Sequence, residues 1–188
     1  MTTSSPFTRR IVTAAMAMGL GLSALPAFSA GENTVYLETK DGRVTIELRP
    51  DIAPKHAAQL KALIRQGFYD GLKFHRVMDG FMAQTGDPKG NGTGGSTLPN
   101  IPAEFSQAPF KRGTVGMARS SSPDSANSQF FICLGDASFL DGKYTVVGVV
   151  TSGMEVVDKI KKAAPGAPGG AVDNPDKILT MKLAQGAR

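Results

Sequence analysis

Phe74-His75-Arg76-Val77-Met78-Asp79-Gly80-Phe81-Met82-Ala83-Gln84-Thr85-Gly86-Asp87 holds two short apolar runs, parted by Asp79-Gly80 and closed by Gly86-Asp87. Runs of this length bounded by Gly and Asp read as strands joined by tight turns: Gly takes the turn dihedrals, and Asp bonds its own main chain. Regular alternation along the first run sends Phe74, Arg76 and Met78 to one face. An arginine among apolar neighbours ordinarily packs its stem and keeps its head in water. Taken alone, the stretch supplies a strand pair and one cation to watch.

The same pattern recurs on both sides of it. Val35, Leu37 and Thr39 alternate with Tyr36 and Glu38; Val44, Ile46 and Leu48 alternate with Thr45 and Glu47. Lys40-Asp41-Gly42 lies between these runs and predicts a β-hairpin. Further short runs occupy Leu72–Met78, Phe81–Gln84, Thr114–Ala118, Gln129–Leu134, Tyr144–Val150 and Lys177–Leu183. Only two stretches carry helical spacing. Pro54 opens one, with Ala57, Leu60, Leu63 and Ile64 recurring until Gly67. Ser152-Gly153-Met154-Glu155 fits a capping box for the other, followed by Val156, Val157 and Ile160. Many short strands and two isolated helices predict a mainly β fold closed on itself, because closure leaves no exposed edge.

The chain has 188 residues, 41% hydrophobic and 20% charged, with 22 Gly and 12 Pro, which suits one domain of ordinary size. Lys and Arg outnumber Asp and Glu by 21 to 16. Residues 1–30 hold Arg9, Arg10 and no acid, so without them the balance is 19 to 16. So mild an excess argues against a nucleic-acid partner, which asks for a dense basic patch. The longest basic cluster, Lys159, Lys161 and Lys162, reads as a solvated helix face. Arg9-Arg10, the apolar stretch Ile11–Leu25 and the small residues up to Ala30 read as a cleaved signal peptide over residues 1–30. The cut falls after Ser29 or Ala30, and the 15-residue stretch is short of the roughly 20 that span a bilayer. The expected mature chain is a single domain, residues 31–188, in the periplasm or secreted, with no stable membrane insertion.

Candidate chemistry is quickly narrowed. One cysteine excludes an intrachain disulfide, and two distant histidines argue against a zinc site, so no metal and no cofactor is expected. Gly90-Asn91-Gly92-Thr93-Gly94-Gly95 contains G-x-G-x-x-G, but Pro99 and Pro102 follow and no helix can start there. It reads as a glycine-rich surface loop. Ser120-Ser121-Ser122 has no histidine marked as its base, since His56 falls in the first helix and reads as exposed. Cys133, inside Phe130-Phe131-Ile132-Cys133-Leu134, reads as a buried inert thiol. Any catalysis here is therefore expected to be non-covalent.

Four motifs then stand in order: F-H-R-V-x-x-G-F-M-x-Q-x-G-D at 74–87, G-T-V-G-M-A at 113–118, S-Q-F-F-I-C at 128–133 and L-D-G-K-Y at 140–144. Together they resemble the cyclophilin family of peptidyl-prolyl cis–trans isomerases, above all its compact exported bacterial members. The resemblance runs from Asn33 to Leu183. It implies a closed eight-stranded antiparallel β-barrel capped by two α-helices. It also implies isomerisation of X-Pro bonds in unfolded or partly folded exported polypeptides. A proline-binding chaperone or adaptor with negligible turnover is the alternative. Nothing in the sequence suggests an oligomer, so a monomer is expected.

Carried onto this chain, the family's catalytic arginine is Arg76, and its proline pocket is Phe81, Met82, Phe131 and Leu140. Gln84 and Gln129 match peptide-binding or orienting positions, and Ala118 and Arg119 match the main chain that pairs with the peptide. Three departures are visible. Arg119 stands where many members have Asn, Tyr144 replaces a common pocket histidine, and Phe139 replaces a rim tryptophan that can donate to the inhibitor cyclosporin. The segment between Met117 and Gln129 is also one residue longer than usual.

Overall fold

The computed structural model describes residues 1–2 and 31–184; the expected signal peptide, apart from its first two residues, lies outside the described residues. β1 (Thr34–Thr39) and β2 (Gly42–Leu48) form the anticipated hairpin, with Thr39 opposite Gly42 and only Lys40-Asp41 in the turn. Val35, Leu37, Val44, Ile46 and Leu48 point inward and are buried, while the alternate positions face out. α1 (Pro54–Arg65) follows and buries Ala57, Leu60, Leu63 and Ile64. Then come β3 (Arg76–Met78), β4 (Met82–Thr85), β5 (Thr114–Met117), β6 (Phe130–Cys133), β7 (Val146–Ser152), α2 (Met154–Val157) and β8 (Thr180–Leu183).

The eight strands form one antiparallel sheet in the order β3-β4-β6-β5-β7-β2-β1-β8. The sheet curls but is open, which corrects the expectation of a closed barrel. Its edge strands β3 and β8, with three and four residues, share no ladder. Irregular main chain ahead of each strand meets instead: Lys73 bridges to Lys177, Phe74 N donates to Asp176 O (2.9 Å) and Ile178 N to Leu72 O (2.9 Å). The free edges are thus covered without a continuous ladder. α1 lies against β8 and α2 against β2.

Four local expectations change. Phe74 does not share a face with Arg76 and Met78: it precedes β3, and its bond to Asp176 turns its ring into the main core beside Val77. His56 is fully buried rather than exposed, with Nδ1 2.6 Å from Glu104 Oε2. Glu104 also accepts the main-chain N–H of Lys55 and of His56, so a distant carboxylate caps α1 where its own Ala53 cannot. Ser152 is still in β7 and no side chain caps α2; Gly153, at φ 89°, makes the turn because a Cβ there would lie 2.3 Å from Arg43 O. The basic cluster lies beyond the end of α2, where Lys161 N donates to Asp176 Oδ2 and Lys161 Nζ to Asp173 O.

Two apolar clusters result. The larger fills the curl of the sheet and seats both helices. The smaller, built on Met82, Phe110, Phe131, Cys133, Ala137, Leu140 and Val146, lies on the outer face of β4 and β6.

Candidate active site

The smaller cluster is the floor of a cavity of about 670 Å³, a size that holds a small ligand or short peptide segment. Alternation on β4 and β6 sends Met82, Gln84, Phe131 and Cys133 outward, with Gln84 opposite Phe131 and Met82 opposite Cys133. On the neighbouring β5, Gly116 faces Phe131. A Cβ at Gly116 would lie 2.5 Å from Phe131 Cζ and 2.6 Å from Phe110 Cε1, so only glycine leaves room for those rings. They stack with centroids 5.9 Å apart. Tyr144 meets Phe131 edge-on at 6.1 Å, Leu140 closes the floor, and Phe81 and Phe139 pair at 5.3 Å at the mouth. Phe139 is 59% exposed, as a rim residue should be.

One polar edge borders this apolar floor. Arg76 on β3 lies directly opposite Gln84 on β4. Its Nε donates to Gly169 O (2.7 Å), its Nη1 to Gln84 Oε1 (3.1 Å), and its Nη2 lies 3.5 Å from Met78 Sδ. A guanidinium has five N–H groups, so about two remain for a ligand. The chain of amides has one polarity. Gln84 turns Oε1 to the guanidinium and therefore Nε2 to Gln129 Oε1 (2.8 Å); Gln129 Nε2 then donates to Gly94 O (2.7 Å) and Gly92 O (3.1 Å).

That last contact ties the site to the glycine loop. Asp87, buried, accepts N–H bonds from Lys89 (2.8 Å), Asn91 (3.0 Å) and Gly92 (2.6 Å). Burial pushes its carboxyl up, but these donors outweigh it and hold the group below the usual range. The nest of N–H groups that a phosphate would need is filled by the protein's own carboxylate, so the loop is a wall and not a nucleotide cradle. His75 lines the cavity with neither ring nitrogen partnered; burial lowers its pKa and keeps it neutral beside Arg76. On the far wall, Ala118 N donates to Gln129 O (3.0 Å). Arg119 acts through its side chain as well: the guanidinium lies 4.4 Å over the Tyr144 ring and donates to Lys143 O (3.0 Å).

Of the residues singled out from sequence, Arg76, Phe81, Met82, Gln84, Ala118, Arg119, Phe131, Phe139, Leu140 and Tyr144 all line this cavity. Gln129 lines the adjoining polar cavity and reaches the first through Gln84. Sequence reasoning missed Phe110, Met78, His75 and the Gly169 carbonyl. His75 and Met78 flank Arg76 inside the quoted stretch, whereas Phe110 and Gly169 lie in irregular segments with no periodic signal. Cys133 is buried under the floor, where burial pushes its thiol up to about 12. Among the described residues no three His, Cys, Asp or Glu converge as metal ligands.

Comparison with known proteins places this arrangement. The family model of cyclophilin type peptidyl-prolyl cis-trans isomerase/CLD matches residues 34–183. A probable peptidyl-prolyl cis-trans isomerase of Brucella suis is 58% identical over 190 residues, covering 94% of this chain and 96% of its own. A peptidyl-prolyl cis-trans isomerase of Helicobacter pylori is 43% identical over 130 residues, 67% of this chain and 78% of that one. Among solved structures, the cyclophilin AquaCyp293 of Hirschia baltica superposes with a TM-score of 0.71 at 28% identity, over 81% of this chain and 74% of its own. A Cryptosporidium parvum cyclophilin type peptidyl-prolyl cis-trans isomerase, solved in the presence of the dipeptide Ala-Pro, superposes at 0.73 with 26% identity, over 81% and 99%. The matched span takes in every strand and both helices, and on that ground the chain belongs to the cyclophilin-type peptidyl-prolyl cis–trans isomerases.

Proposed function

We propose that this isomerase works by seating a proline ring on Met82, Phe131 and Leu140 while Arg76 stabilises the twisted X-Pro bond. Rotation about a peptide bond meets a barrier of about 18–20 kcal/mol because the C–N bond is partly double. Twisting removes that resonance and localises a lone pair on the proline nitrogen. A guanidinium that donates there favours the twisted state over the planar one, which is the condition for catalysis. Arg suits the task because it stays charged and its fork is rigid. The observation that carries this reading is the clamp on Arg76: Gly169 O and Gln84 Oε1 hold the fork at the edge of an apolar floor and leave it donors to spare. That the Cryptosporidium parvum structure was solved in the presence of the dipeptide Ala-Pro supports a proline-containing peptide as the ligand.

In this reading the clients are unfolded or partly folded exported polypeptides, and the mature enzyme, residues 31–188, is a periplasmic monomer. Arg9-Arg10, the apolar Ile11–Leu25 and the small residues before Gly31 support export. The test is an exchange measurement by NMR on an X-Pro peptide, in which no coupling protease intervenes. Wild-type protein should accelerate exchange in the presence of EDTA; loss of activity on chelation, restored by zinc, would overturn the expectation of a metal-free reaction. Mass measurement of the chain recovered from a periplasmic extract should show loss of residues 1–29 or 1–30; an intact N-terminus would remove the export reading.

A further inference from the structure

Arg119 stands where two cavities meet. The apolar cavity and a polar neighbour of about 420 Å³ share Gln84, Gly92, Ala118 and Arg119 in their walls. Arg76 and Arg119 are the charged side chains lining the pair, since His75 is held neutral and no Asp or Glu lines either cavity. Elsewhere in the described residues, Arg43, Arg49 and Arg112 each meet a carboxylate at 2.6–2.7 Å, and Arg65, which has no ion pair, is exposed at the end of α1. Arg119 meets none. Its Nη1 donates to Ser120 O (3.0 Å) and Ser121 O (3.3 Å), its Nη2 donates to Lys143 O (3.0 Å), and its Nε is buried without a partner. Main-chain carbonyls orient a guanidinium without neutralising it.

The clamp has a mechanical consequence. Bonded to the 120–121 segment on one side, to Lys143 on the other, and stacked on Tyr144, the guanidinium is fixed over the wall that both cavities share. The acids nearby in sequence are committed elsewhere: Asp124 accepts Ala103 N–H (2.8 Å) and Asp141 accepts Phe110 N–H (2.7 Å). A peptide with its proline on the Phe131 floor therefore passes an uncompensated positive charge in the wall beside it. Charge at the rim of a binding groove sorts ligands more than it raises overall affinity.

We propose that Arg119 is a specificity determinant, selecting X-Pro substrates that carry an acidic side chain next to the proline, with that side chain directed into the polar cavity. The proposal rests on the placement of the proline pocket given above. The experiment compares kcat/KM by NMR exchange for peptides bearing Glu, Gln or Lys on either side of the proline. At about 0.01 M salt the best Glu peptide should exceed its Lys counterpart by about tenfold, from attraction and repulsion each worth a few-fold. The Gln peptide should lie between them. Raising salt to about 1 M should erase most of the ratio. Arg119→Gln should bring the Glu-to-Lys ratio near one, while Arg119→Lys keeps most of it. A wild-type ratio near one at low salt overturns the proposal without any variant, as does a ratio that Arg119→Gln leaves intact. Absence of turnover on every peptide would strike instead at the pocket reading beneath it.

Discussion

The β1–β2 hairpin and the β4–β6 pair belong to one antiparallel sheet, yet they are buried differently. In the hairpin one face is packed and the other is wet, so Val35 and Leu37 alternate with Tyr36 and Glu38. In β4 and β6 every residue is buried: Ala83, Phe130 and Ile132 face the main core, and Met82, Phe131 and Cys133 face the smaller cluster. An antiparallel sheet ordinarily needs only one apolar face. A second one, covered in part by the Phe81 and Phe139 rings, is the face on which the proposed proline pocket lies. In this fold the candidate site lies on strands that lose the alternation of buried and exposed residues.

Substitutions on the two regions should separate activity from stability. Arg76→Ala removes a preorganised donor from the β4–β6 side and should lower kcat/KM by about 10²–10³-fold. The urea midpoint should move little, since the Gly169 carbonyl and the Gln84 amide can turn to water. Full activity with native stability would break the assignment of Arg76. Leu37→Ala, in the hairpin, empties a fully buried site and should cost about 2–5 kcal/mol of stability by urea titration, with KM of the folded fraction unchanged. A KM effect of that variant would mean that the two regions are not independent.

Acid should act on the scaffold. Burial is the main force holding His56 below its ordinary 6.5, only partly offset by Glu104, and its unpartnered Nε2 leaves no acceptor for a second proton. His75 shifts the same way, again chiefly by burial. For Glu104, burial pushes up, but the His56 ring and the N–H groups of His56 and Lys55 outweigh it and hold it below 4.5. Each group binds protons more readily in the unfolded chain, so stability is present above those ordinary values and is lost as pH falls through them. Urea midpoints should drop from pH 7 to pH 4, beginning below about 6.5. His56→Gln should flatten the upper part of that slope, leaving the share of His75; an unchanged slope would contradict the neutral buried imidazole.

Smaller effects test the rim and the floor. Phe139→Trp places an indole N–H at the mouth and should tighten cyclosporin by up to about tenfold, the worth of one added hydrogen bond. The chain has no other tryptophan, so indole fluorescence reads the binding directly. No gain would remove Phe139 from that rim. Smallest of all, thiol alkylation of the native enzyme should leave turnover unchanged and Cys133 unlabelled over hours. Rapid labelling would contradict a thiol buried beneath the floor with its pKa at about 12.

Local patterns in the amino-acid sequence were enough for the hairpin, the first helix, the approximate places of the short strands and ten of the residues that line the apolar cavity, Arg76 among them. These depend on local patterns: alternation, helical spacing, turn residues, and four motifs that keep their order. Sequence could not decide whether the sheet closes, because that depends on how irregular segments at Lys73 and Lys177 meet across 104 positions. Nor could it find that His56 is buried on Glu104, 48 residues away, or that Phe110 underlies Phe131 through the space Gly116 leaves. Even the face taken by Phe74 was decided by a main-chain bond to Asp176 and not by its spacing from Arg76. Local periodicity states which residues want burial; only the tertiary structure decides against what, because packing partners are chosen by contacts between distant segments.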